Sequence, residues 1–181
     1  MKKNHARLIF GIVAFSSLAA AEECPLQPAI SLSGNQILAL KMDSEKPIIL
    51  NLTALEKLPQ ISIVSERRNQ TNDSAVAPGV QSVTWSGVLL KDIVLKNGIE
   101  QIDDHQLRQS YFEVVAIDGY KAIFSWGELF NTAAGNQILI ITKKDGAYLD
   151  RQNGPLAIRA LADIRPGPRH VRNLCGVSVL K

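Results

Sequence analysis

The chain has two cysteines, Cys24 and Cys175, one near each end. Paired, they close almost the whole polypeptide into one loop. Only folds that bring the N-terminus beside the last strand are then open to it. Pairing is expected because the chain begins with an export signal. Lys2, Lys3 and Arg7 form a basic start, Leu8–Phe15 is an apolar run too short to span a membrane, and Ala19, Ala20 and Ala21 are small residues suited to cleavage after Ala21. Exported proteins meet an oxidising compartment, where two cysteines form a bridge. Closing so long a loop is worth roughly 4–5 kcal/mol by loop entropy. The other use of such a pair, a metal or redox site, lacks the close Cys-x-x-Cys spacing it needs.

Cleavage also changes the charge. The whole chain has 20 Lys and Arg against 17 Asp and Glu, a formal charge of +3. The signal removes three basic residues and no acidic one, so residues 22–181 carry 17 of each. A neutral domain has no general attraction for nucleic acid. About 160 residues suit a single domain with a real core. No repeat, low-complexity linker or membrane span is visible.

The apolar pattern is mostly that of strands. Gln36–Leu40 and Pro47–Leu50 read as short strands, and Gln60–Val64 alternates like a half-buried one. Between them, Thr53-x-x-Glu56 is a capping-box pattern opening a short helix that Pro59 ends. Ser65–Gly79 reads as a long polar loop, a kind of segment often reserved for function. Val80–Trp85 is strand-like, Val88–Leu95 has helical spacing, and Asn97-Gly98 stops it. Tyr111–Ile117 and Lys121–Phe124 flank the hairpin signal Asp118-Gly119-Tyr120. Ser125-x-x-Glu128 is a second capping box. Gln137–Thr142, Pro155–Leu161 and Gly176–Leu180 complete the strands. Many short strands with a few short helices predict an α+β domain on a mixed β-sheet.

Enzymatic templates mostly fail. Beyond the signal only His105 and His170 remain, too far apart in sequence for a zinc pair without further ligands. No Gly-x-Ser-x-Gly elbow and no phosphate-binding glycine loop are present. Polar and aromatic loop residues remain. Arg165, Arg169, His170 and Arg172 surround Pro166-Gly-Pro168, and guanidinium groups there suit an anion or a planar heterocycle. Their other reading is a salt-bridged surface loop. Arg67 and Arg68 lie in the long loop. Trp85, ending a strand, reads as core packing. Trp126, opening a helical turn, and Tyr120, at the hairpin, read equally as pocket lining or packing. Asp150, Arg151 and Asn153 are either ligand contacts or turn residues.

Several ordered segments resemble the molybdopterin-binding domain of the sulfite-oxidase family. Thr84-Trp-Ser-Gly-Val-Leu-Leu-Lys-Asp-Ile-Val94 is similar to its Trp-x-Gly-Val-x-Leu segment, Val115-Ala-Ile-Asp-Gly-Tyr120 to its substrate-facing hairpin, and Gly154-Pro-Leu156 to the stretch before its pterin-contacting loop. Leu58-Pro-Gln60 precedes the strand that leads into the loop where that family has its metal ligand. The resemblance runs from about Gln36 to the C-terminus and implies a sulfite-oxidase-like α+β fold with a pterin-shaped pocket. Family enzymes ligate molybdenum through a loop cysteine just before the Trp segment, whereas Val64–Pro78 has none. A soft metal site of that kind needs a thiolate, so molybdenum is not expected.

The resemblance therefore implies a periplasmic protein that binds a reduced pterin. It would report occupancy to the periplasmic region of a membrane diguanylate cyclase/phosphodiesterase, and so bias cyclic-di-GMP and biofilm formation, without redox catalysis. Arg67, Arg68, Trp126, Tyr148, Asp150, Arg169 and His170 are the expected pterin contacts, stacking on the ring or reading its polar edge. The alternative is a molybdopterin-dependent oxidoreductase, or its subunit, with a non-cysteine metal ligand.

Overall fold

The computed structural model describes residues 24–25, 36–42, 46–68, 80–98, 104–150, 152–165 and 167–181. The expected export signal, 1–21, lies outside them. The elements run β1 (Gln36–Met42), β2 (Ile48–Asn51), α1 (Leu52–Glu56), β3 (Ile61–Arg68), β4 (Val80–Leu89), α2 (Leu90–Lys96), α3 (Asp104–Leu107), β5 (Tyr111–Ala116) and β6 (Lys121–Ser125). They continue with α4 (Trp126–Asn131), a 3₁₀ turn (Ala133–Gln137), β7 (Ile138–Lys144), β8 (Ala147–Tyr148), β9 (Ala157–Ala160), β10 (His170–Val171) and β11 (Leu174–Leu180). The fold is α+β, as the pattern predicts, but its strands divide into two sheets.

The first sheet has the order β2-β1-β11-β5-β6 and the second β10-β9-β7-β4-β3, with β8 attached to β7. The first is mixed through one parallel pair, β1 with β11. The described pairs of the second are all antiparallel. The main core lies between the sheets. Leu38, Leu40, Phe112, Val114 and Phe124 from the first meet Val88, Ile140 and Ile158 from the second, with Ile93 and Leu129 added from α2 and α4. A second cluster, Trp85, Leu139, Ile141 and Ala157, lines the other face of the second sheet. Burial on both faces explains why β7 is apolar at successive positions rather than at alternate ones.

Cys24 and Cys175 are bridged, with Cα atoms 5.7 Å apart. The bridge is buried against Val115 on the outer face of the first sheet, with Ile117 packed beside it. Its position depends on a β-bulge. Leu174 pairs with Ala116 and Gly176 with Val115, so Cys175 is the extra residue. The extra residue changes the phase of β11. Leu174 and Val177, three apart, both face the main core, while Cys175 faces out to its partner.

Three local expectations change. The α1 cap is Asn51, whose Oδ1 accepts from the Ala54 N–H at 2.7 Å, so the helix starts at Leu52, ahead of the Thr53 capping-box pattern. The expected loop from Ser65 begins as strand, because Ser65–Arg68 pair with Val83–Val80 of β4; residues 69–79 lie outside the described residues. The expected helix from Val88 starts only at Leu90, since Val88 and Leu89 still pair with Ile140 and Leu139 of β7. Tertiary pairing overrides the helical spacing there. Gly87 permits it: a Cβ at this position would lie 2.0 Å from the Ile140 carbonyl oxygen. By contrast, the Ser125 cap forms as expected, its Oγ accepting from the Glu128 N–H at 3.0 Å.

Replacing both bridged cysteines by serine is expected to lower the unfolding free energy by about 2–5 kcal/mol, read by denaturant titration. Gly87→Ala is expected to cost about 2–3 kcal/mol by forcing β4 from β7. Gly127→Ala, in α4 with nothing within 4 Å of its new Cβ, is expected to be neutral or to stabilise by up to about 1 kcal/mol. Thermal unfolding of the two alanine variants checks the contrast.

Candidate functional site

A shallow cleft of about 240 Å³ opens where the β5–β6 hairpin of the first sheet meets the β10 edge of the second. It is lined by Asp118, Tyr120, Gly167, His170 and Arg172. The hairpin wall is set locally. Gly119 takes φ +84°, the Ala116 N–H donates to the Tyr120 carbonyl, and the Tyr120 N–H donates to Asp118 Oδ1 at 3.0 Å. The Tyr120 hydroxyl then crosses to donate to the Pro168 carbonyl at 2.7 Å, joining the two walls.

Arg169 holds the second wall. Its Nε and Nη2 donate to the Asp163 carboxylate, its Nη1 donates to Glu128 at the start of α4, and its guanidinium lies 5.0 Å from the Phe124 ring centre. Asp163 first, and then Glu128, hold the Arg169 pKa above its ordinary value despite partial burial. All three nitrogens are thus engaged inside the protein. This residue positions the wall, with three of its five N–H donors held by the two acids.

His170 is at the centre of the site. Its Nε2 is buried without a hydrogen-bond partner, the one such side-chain atom among the described residues. Its ring meets the edge of Trp85 at 6.1 Å and an angle of 69°. Arg159, opposite His170 in the β9–β10 ladder, stacks on Trp85 at 4.6 Å. Trp85 is 7% exposed and donates from Nε1 to Ser65 Oγ at 2.9 Å. Burial, with the charges of Arg159 and Arg172, pushes the His170 pKa down to about 4. The imidazole is therefore neutral at pH 7, and its enclosed Nε2 keeps an unmet hydrogen-bonding capacity beside the cleft.

The expected contact residues do not all meet. His170 lines the cleft and Arg169 braces it. Trp126 opens α4, between Phe124 and Glu128, two of the residues that Arg169 touches. It is half-buried, packs on Phe130 at 5.7 Å and leans on the main core. Tyr148 and Asp150 lie elsewhere. Tyr148 pairs with Lys143, four residues along β7 from the Leu139 that pairs with Arg159, or about 13 Å at strand rise. Its hydroxyl donates to Glu56, which raises its pKa, and Lys143 Nζ lies 4.6 Å from its ring centre. Asp150 Oδ1 accepts from the N–H groups of Asn153 and Gln152 and from the Asn153 amide, the turn role that its sequence context also allowed. The Asn153 bonds are the main reason its pKa is lowered. Arg67 and Arg68 end β3 opposite Gln81 and Val80; their side chains, and Arg151, lie outside what is described.

Sequence reasoning passed over Arg159; its reading of Trp85 as core packing holds, and the same ring is the surface on which Arg159 stacks. A signal for Arg159 existed. It is the single charge in Leu156-Ala-Ile-Arg-Ala160, a run whose other members are buried.

The cofactor of the sulfite-oxidase family does not fit these residues. Its metal takes a cysteine thiolate, and the only two cysteines of the chain are bonded to each other. Among the described residues no three His, Cys, Asp or Glu side chains gather as a metal site. The cleft is also below the range of roughly 300–1,000 Å³ common for drug-sized ligands.

No family model matches the chain, and no curated protein matches it. Among solved structures it is similar to the sulfane dehydrogenase SoxCD from Paracoccus pantotrophus. The TM-score is 0.58 at 11% identity, over 78% of this chain and 37% of that one. The likeness is one of fold, and it agrees with the sulfite-oxidase-like α+β architecture that the motifs imply. This chain spans little more than a third of that neighbour. No helix among the described residues is long and apolar enough to cross a membrane, and the disulfide is consistent with an oxidising compartment.

The depressed His170 pKa has a definite sign. Between its ordinary value near 6.5 and about 4, the unfolded chain takes up a proton that the folded one refuses. Stability therefore falls as pH drops through that window. We expect His170→Gln to flatten the stability profile between pH 6.5 and 4 and to leave it parallel to the parent above pH 7, measured by denaturant titration.

Proposed function

We propose that this is a periplasmic pterin-binding protein, exported by residues 1–21, which reports pterin occupancy to a membrane diguanylate cyclase/phosphodiesterase without performing redox chemistry itself. The observation that carries the reading is the unpartnered His170 Nε2 beside the Trp85–Arg159 stack, at a cleft bounded by Arg172 and Tyr120. A reduced pterin is flat and has alternating donors and acceptors along one edge. Neutral His170 would satisfy one of these, Arg172 would offer forked donors, and the exposed Tyr120 ring would supply an aromatic surface. The locked thiols favour a metal-free ligand over molybdopterin.

Occupancy becomes a signal only if the partner binds the two states of the protein with different affinity. Tyr120 gives such a link, because its ring borders the cleft while its hydroxyl holds the Pro168 carbonyl. A ligand that moves this ring also changes the tie to the loop before β10.

The second reading, a molybdopterin-dependent oxidoreductase with a non-cysteine ligand, draws on the dehydrogenase among the fold neighbours. One experiment separates the two. Protein from its native compartment is analysed for metal, then titrated with tetrahydro-, dihydro- and oxidised pterin by calorimetry. The expected result is no stoichiometric molybdenum and saturable binding of a reduced pterin, weakened at least about tenfold by His170→Gln, as for a lost hydrogen bond to a buried group. Stoichiometric molybdenum would return the protein to the oxidoreductases. Binding indifferent to His170 would remove this cleft from the reading.

A further inference from the structure

Two opposite charges line the cleft without meeting. Leu174 of β11 pairs with Ala116 of β5, and one residue further the Ile117 N–H donates to the Asn173 carbonyl at 3.0 Å. Continuing that register sets Arg172 opposite Asp118, and both border the cleft. The junction is fixed from behind. Asn173 sits in the left-handed region at φ +48°, and its own N–H donates to the Asn153 carbonyl at 3.0 Å. An arginine has the length to reach a carboxylate so placed. Yet the two form no ion pair with each other, and neither forms one with another described residue.

The chemistry of the pair narrows what it can read. Asp118 Oδ1 takes the Tyr120 N–H at 3.0 Å, but a carboxylate has about four acceptor positions. Its role in the turn therefore uses only part of it. Arg172 is a donor only, in a planar fork. Their charges sum to zero, so the pair selects neither an anion nor a cation. It suits an uncharged ligand with N–H donors and a carbonyl side by side on one edge. A 2-aminopyrimidin-4-one ring has that pattern: an exocyclic amine, a ring N–H, then a carbonyl. The hairpin turn explains Asp118 alone; it does not explain an unpaired arginine opposite.

We propose that Asp118 and Arg172 are the specificity-determining pair of the cleft. Asp118 accepts from the amine and the ring N–H of a 2-aminopyrimidin-4-one edge, and Arg172 donates to its carbonyl. The inference deepens the pterin reading, rests on its cleft, and fixes which edge of the ring enters. Selectivity then comes as much from rejection as from attraction. A 2-oxo ring turns a carbonyl toward the Asp118 carboxylate, and a 4-amino ring turns donors toward the Arg172 donors. Guanine has the same edge as a pterin, so the pair distinguishes edges rather than whole ring systems.

The test is calorimetric titration of the disulfide-bonded protein with tetrahydropterin, tetrahydrolumazine, 2,4-diaminotetrahydropteridine and guanosine. Asp118→Asn keeps a side-chain oxygen for the Tyr120 N–H, so its thermal unfolding is expected to match the parent. The parent should prefer tetrahydropterin at least about tenfold over each of the other two pteridines, as for hydrogen bonds to a charged group. Asp118→Asn should erase the preference over the 2-oxo ring, and Arg172→Met the preference over the 4-amino ring. The proposal is overturned, with pterin binding left standing, if the parent takes all three pteridines equally or if either preference survives its substitution. Guanosine bound in an Asp118-dependent way, with no pteridine bound, upholds the edge assignment and overturns the pterin reading instead. Binding of none of the four overturns both.

Discussion

The guanidinium of Arg169 joins three parts of the molecule that no backbone ladder connects. Asp163 belongs to the segment leaving β9, Glu128 to the first turn of α4, and Phe124 to the end of β6. The second sheet is thereby pinned to the first at the end where the cleft opens. Two carboxylates around one partly buried cation form a charge-assisted network. Removing the cation would leave both acids unpaired, a larger penalty than the net worth of either bond. The placement of His170, one residue on, follows from this tie.

The disulfide has a parallel role at the first sheet. A bulge of one residue turns Cys175 away from the main core while Leu174 and Val177 stay in it. The same bond withholds both sulfurs from a metal, because a bridged pair offers no thiolate. The cleft itself is lined by a neutral imidazole, a guanidinium and an aromatic ring.

Much of the fold was legible locally. The Asp118-Gly119-Tyr120 turn and the Ser125 cap depend on residues within a few positions of each other, and both form as read. The exceptions share a cause. Val88 and Leu89 have helical spacing but remain in β4, because pairing with β7 and the close approach at Gly87 outweigh local preference. Ser65–Arg68 look like loop but extend β3 for the same reason. The candidate site was less legible. Of the expected contacts, His170 lines the cleft. Asp150 serves its own turn, Tyr148 binds Glu56, and Arg169 is held by acids that its sequence neighbourhood only partly foretold.

The sequence alone determined the α+β class, the hairpin, the capped helical turn, the pairing of the two cysteines and the lack of a spare thiolate. These follow from short-range periodicity, turn chemistry and simple counting. Only the tertiary structure decided that the strands form two sheets, that Arg159 stacks on Trp85, and that His170 keeps a buried nitrogen without a partner. Each of these joins residues distant in sequence. Their contact is set by sheet order and register, for which a one-dimensional pattern carries no signal.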